Sequence, residues 1–162
     1  MEWAKAEAGF ARTEFYGDDE YKVRLLIDKV TGAIKNRDMD EILAIYSDDA
    51  EIFDVRDSLR YFGKENLRKS WQECFDSSSE FEIDEVRDLK IQVDGNVAFS
   101  HCLNHAKGVT NDGEQIDIWM RLTSCLRKIG GHWLVVHEHV SAPGDFVTGR
   151  VLQDLKPEDR PH

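Results

Sequence analysis

The spacing of apolar residues changes period partway along the chain. Val23, Leu26, Ile27, Val30 and Ile34 recur every three or four residues, as on one face of a helix. Asp18 and Asp19 precede them and favour a helix N-terminus through its dipole. Asp38 can cap a second helix carrying Ile42, Leu43 and Tyr46. The segment AEIFDV, residues 50–55, predicts a short strand, and Gly63 opens a third helix with Leu67, Trp71, Cys74 and Phe75 on one side. From Glu80 onward the period shortens to two, predicting strands over 80–94, 97–109, 114–128 and 132–141. Asp94-Gly95, Asn111-Asp112-Gly113 and Gly130-Gly131 are the turns between them. Helices followed by an antiparallel meander predict an α+β fold.

Turn lengths then say which side chains share a face. A three-residue loop closed by a glycine bulge at Asn111-Asp112-Gly113 pairs Thr110 with Glu114. The same loop type at Ile129-Gly130-Gly131 pairs Lys128 with His132. These registers put Asn104, Met120 and Val140 in one row and Cys102, Leu122 and Glu138 in the next, on the same face. That face also gathers Ile116, Ile118, Leu126, Leu134 and Val136, so it is expected to pack on the helices. The other face collects Phe99, His101, Leu103, Trp119, Arg121, Trp133, Val135, His137 and His139. A loop one residue longer or shorter would reverse the pairing, because strand side chains alternate.

The chain has 162 residues, enough for one domain with a real core. A formal net charge of −11 argues against nucleic acid or an anionic membrane as partner. No run approaches the roughly 18 apolar residues of a membrane span, and the N-terminal segment lacks a signal peptide's apolar stretch. Three scattered cysteines, Cys74, Cys102 and Cys125, with no C-x-x-C pair, fit buried thiols in a reducing compartment, so the cytoplasm is the default location.

The stretch DMDEILAIYSDDAEIFDV, residues 38–55, followed by a helix after Gly63 and a long meander, resembles the SnoaL-like and ketosteroid isomerase-like group of the nuclear transport factor 2-like superfamily. The run WLVVHEHVSAP, residues 133–143, is similar to the end of the calcium/calmodulin-dependent protein kinase II association domain. The resemblance implies a cone over residues 19–145, a strongly curved sheet wrapped over helices with a pocket between them. Residues 1–18 would then be an extension and 146–162 a charged, solvated tail. It also implies that Asp54 occupies the position of the isomerase general base, and that pocket positions fall at Asn104, Ser124 and Val140. The isomerases hold their oxyanion with a Tyr and a protonated Asp. Those positions fall here at about Val30 and near Thr123 or Leu122, and neither replaces the lost donor.

Asp54 and Glu138 are therefore the candidate acid/base residues. A carboxylate in an apolar cavity has its pKa raised and becomes a usable base near neutrality. The bland alternatives are a strand-end Asp54 that satisfies loop amides, and a Glu138 that is merely paired, for instance with Asn104. Trp71, Asn104, Met120, Val136 and Val140 are expected to border the pocket. His137 and His139 could be zinc ligands with His101 or His105, but a His-x-His strand spacing of roughly 6.6–6.8 Å is common without metal. No metal and no cofactor is expected. Trp119, Arg121, Trp133, His137 and His139 are expected instead to form a homodimer interface, because that face is too aromatic to leave in water. Two function classes remain: a cofactor-independent isomerase, hydratase or dehydratase acting on a small molecule, or a non-enzymatic ligand-binding or assembly module.

Overall fold

The structure is a computed structural model that describes residues 17–159. Helix α1 (Asp18–Lys35) has Asp18, Asp19 and Glu20 in its first turn, and buries Val23, Ala33 and Ile34. Asp38 caps α2 (Met39–Ala44), its side chain accepting from the Glu41 amide at 3.0 Å. This helix ends sooner than the spacing predicts, and Tyr46 opens a strand, β1 (Tyr46–Phe53). A two-residue strand, β2 (Tyr61–Phe62), precedes α3 (Lys64–Ser77). The meander follows as β3 (Ser78–Asp94), β4 (Val97–Thr110), β5 (Gln115–Ile129) and β6 (His132–Ser141). A small hairpin, β7 (Gly144–Asp145) with β8 (Arg150–Val151), follows the meander.

Six strands form one sheet in the order β2-β1-β6-β5-β4-β3, with only the β1–β6 pair parallel. Register breaks interrupt β3 at three places, and β1 and the β5–β6 pair at one each. Such bulges bend a strand and increase its twist, so the long sheet curls over α1 and α3. The core lies in the concavity, with Val23 and Ile42 entirely buried. The expected α+β cone is the observed architecture. Most of the expected N-terminal extension lies outside the described residues.

Arg37, which follows α1, holds a positive φ of 55°. Its guanidinium donates to the carbonyls of Phe75 at 2.8 Å and Ser78 at 2.6 Å. Helix ends leave carbonyls without partners, so this one arginine ties the C-terminal end of α3 to the end of α1.

The β4–β5 register is the expected one, with Asn104 opposite Met120 and Cys102 opposite Leu122. The β5–β6 register is not. Gly130 and Gly131 take φ of 58° and 82° and form a two-residue turn, so Ile129 pairs with His132 and Lys128 with Trp133. By itself this one-residue slip would turn Glu138 outward. A bulge restores the phase: Leu126 faces Val135 and Cys125 faces His137, leaving Val136 as the extra residue. Trp133 and Val135 therefore point inward, at 5% and 2% exposure, while His137 returns to the outer face opposite Cys125. The Trp133 indole donates to Asp19 of α1 at 3.1 Å, and Lys128 Nζ reaches the same carboxylate at 2.8 Å. Trp133 is a core anchor for α1. Its expected place in a dimer interface is corrected.

Candidate functional site

A cavity of about 370 Å³ opens between the helices and the concave face of the sheet. Leu26, Ile27, Val30 and Ile34 of α1 form one wall, and Leu67, Trp71 and Cys74 of α3 another. The sheet contributes Ser100, Asn104, Met120, Leu122, Ser124, Val135, Glu138 and Val140, and the strand β1 with the loop after it contributes Tyr46, Ile52, Asp54 and Arg56. Asp54 and Glu138 thus border the same cavity, with Trp71, Asn104, Met120 and Val140. Val136 is absent from the lining. As the bulged residue it has lost its place in the alternation, and Val135 faces the cavity instead.

Glu138 stands in a cross-strand row of inward positions: Ser100 opposite Ser124, Ser124 opposite Glu138, Glu138 opposite Ile52. Its partners are hydroxyls. Tyr46 Oη donates to Oε1 at 3.0 Å and Ser124 Oγ to Oε2 at 3.1 Å. Asn104, the partner considered from the sequence, instead accepts from the Cys102 thiol at 3.3 Å. Burial among aliphatic side chains pushes the Glu138 carboxyl up to about 7. The two hydroxyls pull it down, and the charge of Asp54 pushes it up further. Desolvation wins because two neutral donors replace only part of a full hydration shell. Tyr46 is 2% exposed, and burial and the neighbouring Glu138 drive its phenol well above its ordinary value. It is a donor at any physiological pH.

Asp54 is differently placed. It follows the last residue of β1, where Oδ1 accepts from the Val55 amide at 2.7 Å. Oδ2 meets Arg56 Nε at 3.3 Å and Nη2 at 3.2 Å, and the same Nη2 reaches Ser70 Oγ of α3 at 2.5 Å. Asp54 thus takes a loop amide, as the bland alternative holds, and an ion pair with Arg56 besides. The residue with an activated carboxyl is Glu138. Chemically, the cavity has an ionisable carboxyl poised near neutrality at one place, and a guanidinium–carboxylate pair at another.

The outer face holds the remaining candidates. His105 stacks on Trp119 with ring centroids 4.6 Å apart and planes 4° apart, and its two ring nitrogens lie 2.8 Å from Asp84 and 2.7 Å from Asp117. The Arg87 guanidinium lies over the Trp119 ring, 5.0 Å from its centroid. The chain after β8 returns here: Glu158 pairs with Arg87, and Lys156 with Asp117 at 3.7 Å. The tail expected to be solvated therefore touches the sheet beside Trp119. His137 Nδ1 donates to the Glu51 carbonyl at 2.7 Å, and Phe53 sits edge-on to both His137 and His139. Arg121 and His139 are exposed. Among the described residues, no three His, Cys, Asp or Glu side chains are grouped to hold a metal ion.

Tyr46 and Arg56 are the contacts that sequence reasoning misses, whereas Ser124 lies at the pocket position expected of it. The helical spacing puts Tyr46 on a helix face, which hides its approach to Glu138. Placing β1 beside β6 in parallel would have revealed it, because Tyr46 then falls opposite Val135. Arg56 had a local signal, since it lies two residues from Asp54 on a loop.

The model of the SnoaL-like domain matches residues 23–145. A nuclear transport factor 2-like protein of unknown function from Pseudomonas putida KT2440 is 35% identical, with a TM-score of 0.79 over 88% of this chain and 99% of that one. A ketosteroid isomerase-like protein from Erwinia carotovora atroseptica is 18% identical, with a TM-score of 0.64 over 78% of this chain and 97% of its own. A Xanthomonas campestris protein, provisionally named a calcium/calmodulin-dependent protein kinase II association domain, is 17% identical, with a TM-score of 0.64 over 75% and 85%. The last two likenesses show the fold alone. No curated protein matches the chain. Among the described residues, no helix is long and apolar enough to cross a membrane. A family model spanning most of the chain, together with the Pseudomonas likeness, establishes that this protein belongs to the SnoaL-like family of the nuclear transport factor 2-like superfamily.

Proposed function

We propose that the cavity binds a small, largely apolar molecule and that Glu138 moves a proton on it, in a cofactor-independent isomerisation, hydration or dehydration. The observation that carries this reading is one carboxyl, held at about 7 by burial, on the wall of an apolar cavity. A proton carrier is most effective when its pKa lies near the working pH. Tyr46 donates to Glu138 and can donate to a carbonyl or leaving oxygen that replaces it. Asp54 serves as the second carboxyl group, held in place by Arg56. A carbonyl probe tests the idea: deuterium uptake into β-tetralone, followed by NMR in heavy water. The protein is expected to accelerate uptake with an inflection near pH 7, and Glu138→Gln to lose at least a hundredfold of that acceleration. No acceleration by the unsubstituted protein ends the proposal.

Assembly through the outer sheet face is a second reading, favoured by Val97 and Phe99, which are 52% and 42% exposed there. Trp119, Arg121, His137 and His139 border the same face, and a twofold contact would bury it against its own copy. Sedimentation at micromolar concentration should then give twice the chain mass, and Phe99→Glu should halve it. A monomer before substitution removes the dimer.

A further inference from the structure

Arg56 is the single cation among the described residues that line the cavity. A guanidinium carries five N–H donors in a planar fork. Nε and one Nη2 hydrogen go to a single oxygen of Asp54, and the other Nη2 hydrogen goes to Ser70. Nη1 has no protein acceptor among the described residues. The ion pair is also lopsided. Both bonds to Asp54 end on Oδ2, the side-on arrangement that uses one edge of the fork, and with Ser70 on the second Nη2 hydrogen the Nη1 hydrogens are the donors left unused. The Arg56 side chain is 34% exposed against 16% for Asp54, so the cation is the partner left within a ligand's reach.

We propose that Arg56 anchors an anionic head group, and that the natural ligand is an amphipathic acid: an apolar body lying along α1 and the sheet, with one carboxylate accepting from Arg56 Nη1. The aliphatic walls demand the body, and a cation with unused donors in an otherwise uncharged or acidic cavity selects the head. Charge-assisted bonds to carboxylate are about twice as strong as neutral ones and favour Arg geometrically. Asp54 competes for the same cation, so it weakens anion binding while holding Arg56 in place through Nε.

The proposal rests on the cavity being a binding site, and a matched pair of probes separates the two ideas. Calorimetry on the full chain at pH 6 compares octanoate with 1-octanol, which share the apolar body and differ in the head. Octanoate is expected to bind at least tenfold more tightly. Arg56→Gln should abolish that preference while leaving 1-octanol within about twofold, which also shows the cavity intact. Asp54→Asn should strengthen octanoate binding, since the competitor is gone. Equal affinity for the two probes, or a preference that survives Arg56→Gln, overturns the anchor and leaves the cavity as a site for neutral ligands. Failure of both probes to bind removes the cavity reading, and this inference with it.

Discussion

Replacing Glu138 by glutamine is expected to stabilise the protein at pH 8 by up to about 3 kcal/mol, and to have almost no stabilising effect at pH 4. Proton linkage sets this difference. The folded carboxyl titrates at about 7 against an ordinary value of 4.5, and each unit of difference is worth about 1.4 kcal/mol. Below 4.5 the group is protonated in both states and folding carries no penalty for it. Between 4.5 and 7 the unfolded chain releases its proton first, so stability falls as pH rises. Above 7 both states are ionised, and the folded protein bears the full cost of a charge in an apolar cavity. Glutamine keeps the shape, accepts from Tyr46 and removes the charge. Water entering the cavity would solvate the carboxylate, so the figure is an upper bound. Urea unfolding of both proteins at pH 4, 6 and 8 checks the result. A difference that does not grow with pH would mean the carboxylate is solvated in the folded protein, and the case for a proton carrier would fall with it. A residue that costs stability at working pH fits selection for chemistry better than selection for packing.

How far the sequence reveals this site depends on the kind of information each part needs. The helices and long strands were readable because their apolar periods are local, and Asp38 capped a helix where its position said it should. The β4–β5 hairpin was readable because Asn111-Asp112-Gly113 closes as a three-residue loop, with Gly113 at a φ of 86° and the Thr110 amide bonded to the Glu114 carbonyl at 2.9 Å. Gly130-Gly131 supports loops of two or three residues equally well, because either glycine tolerates positive φ. The choice was settled by tertiary packing: the two-residue turn lets Trp133 reach Asp19 and bury its ring. The bulge at Val136 then compensates, and nothing in VVHEH marks which residue is extra. The inward orientation of Glu138 was reached from a wrong loop length, and the wrong part of the register shows in Trp133 and Val136. Tyr46 was hidden for another reason. Its contact with Glu138 spans 92 residues and depends on a parallel pairing of β1 with β6 that no local pattern encodes.

The largest loss of stability is expected from Gly108→Ala, a substitution that looks conservative from the sequence. Gly108 lies within β4, opposite Phe81, and its backbone conformation is one that any residue adopts. Steric space is the obstacle. A Cβ there would come within 2.2 Å of the Glu80 carbonyl oxygen and 3.1 Å of the Phe81 Cα, and both are backbone atoms that no rotamer change can move. The crowding arises at the register shift between Ser78 and Glu80, where β3 leaves α3 and the sheet bends over the cavity. Glycine in a strand often marks such a close approach of another backbone. Alanine must push β3 away from β4 at its start, at a cost of about 3 kcal/mol or more, or roughly 6–12 °C in melting temperature for a chain of this length. Phe81 and Thr110 line the cavity on either side of that contact, so the damage should spread to the site. A Gly108→Ala protein should therefore melt early by circular dichroism and, at a temperature where it is still folded, bind octanoate more weakly than the unsubstituted chain. An unchanged melting temperature would show that β3 can slide along β4 there, and that the bend is not fixed by this contact.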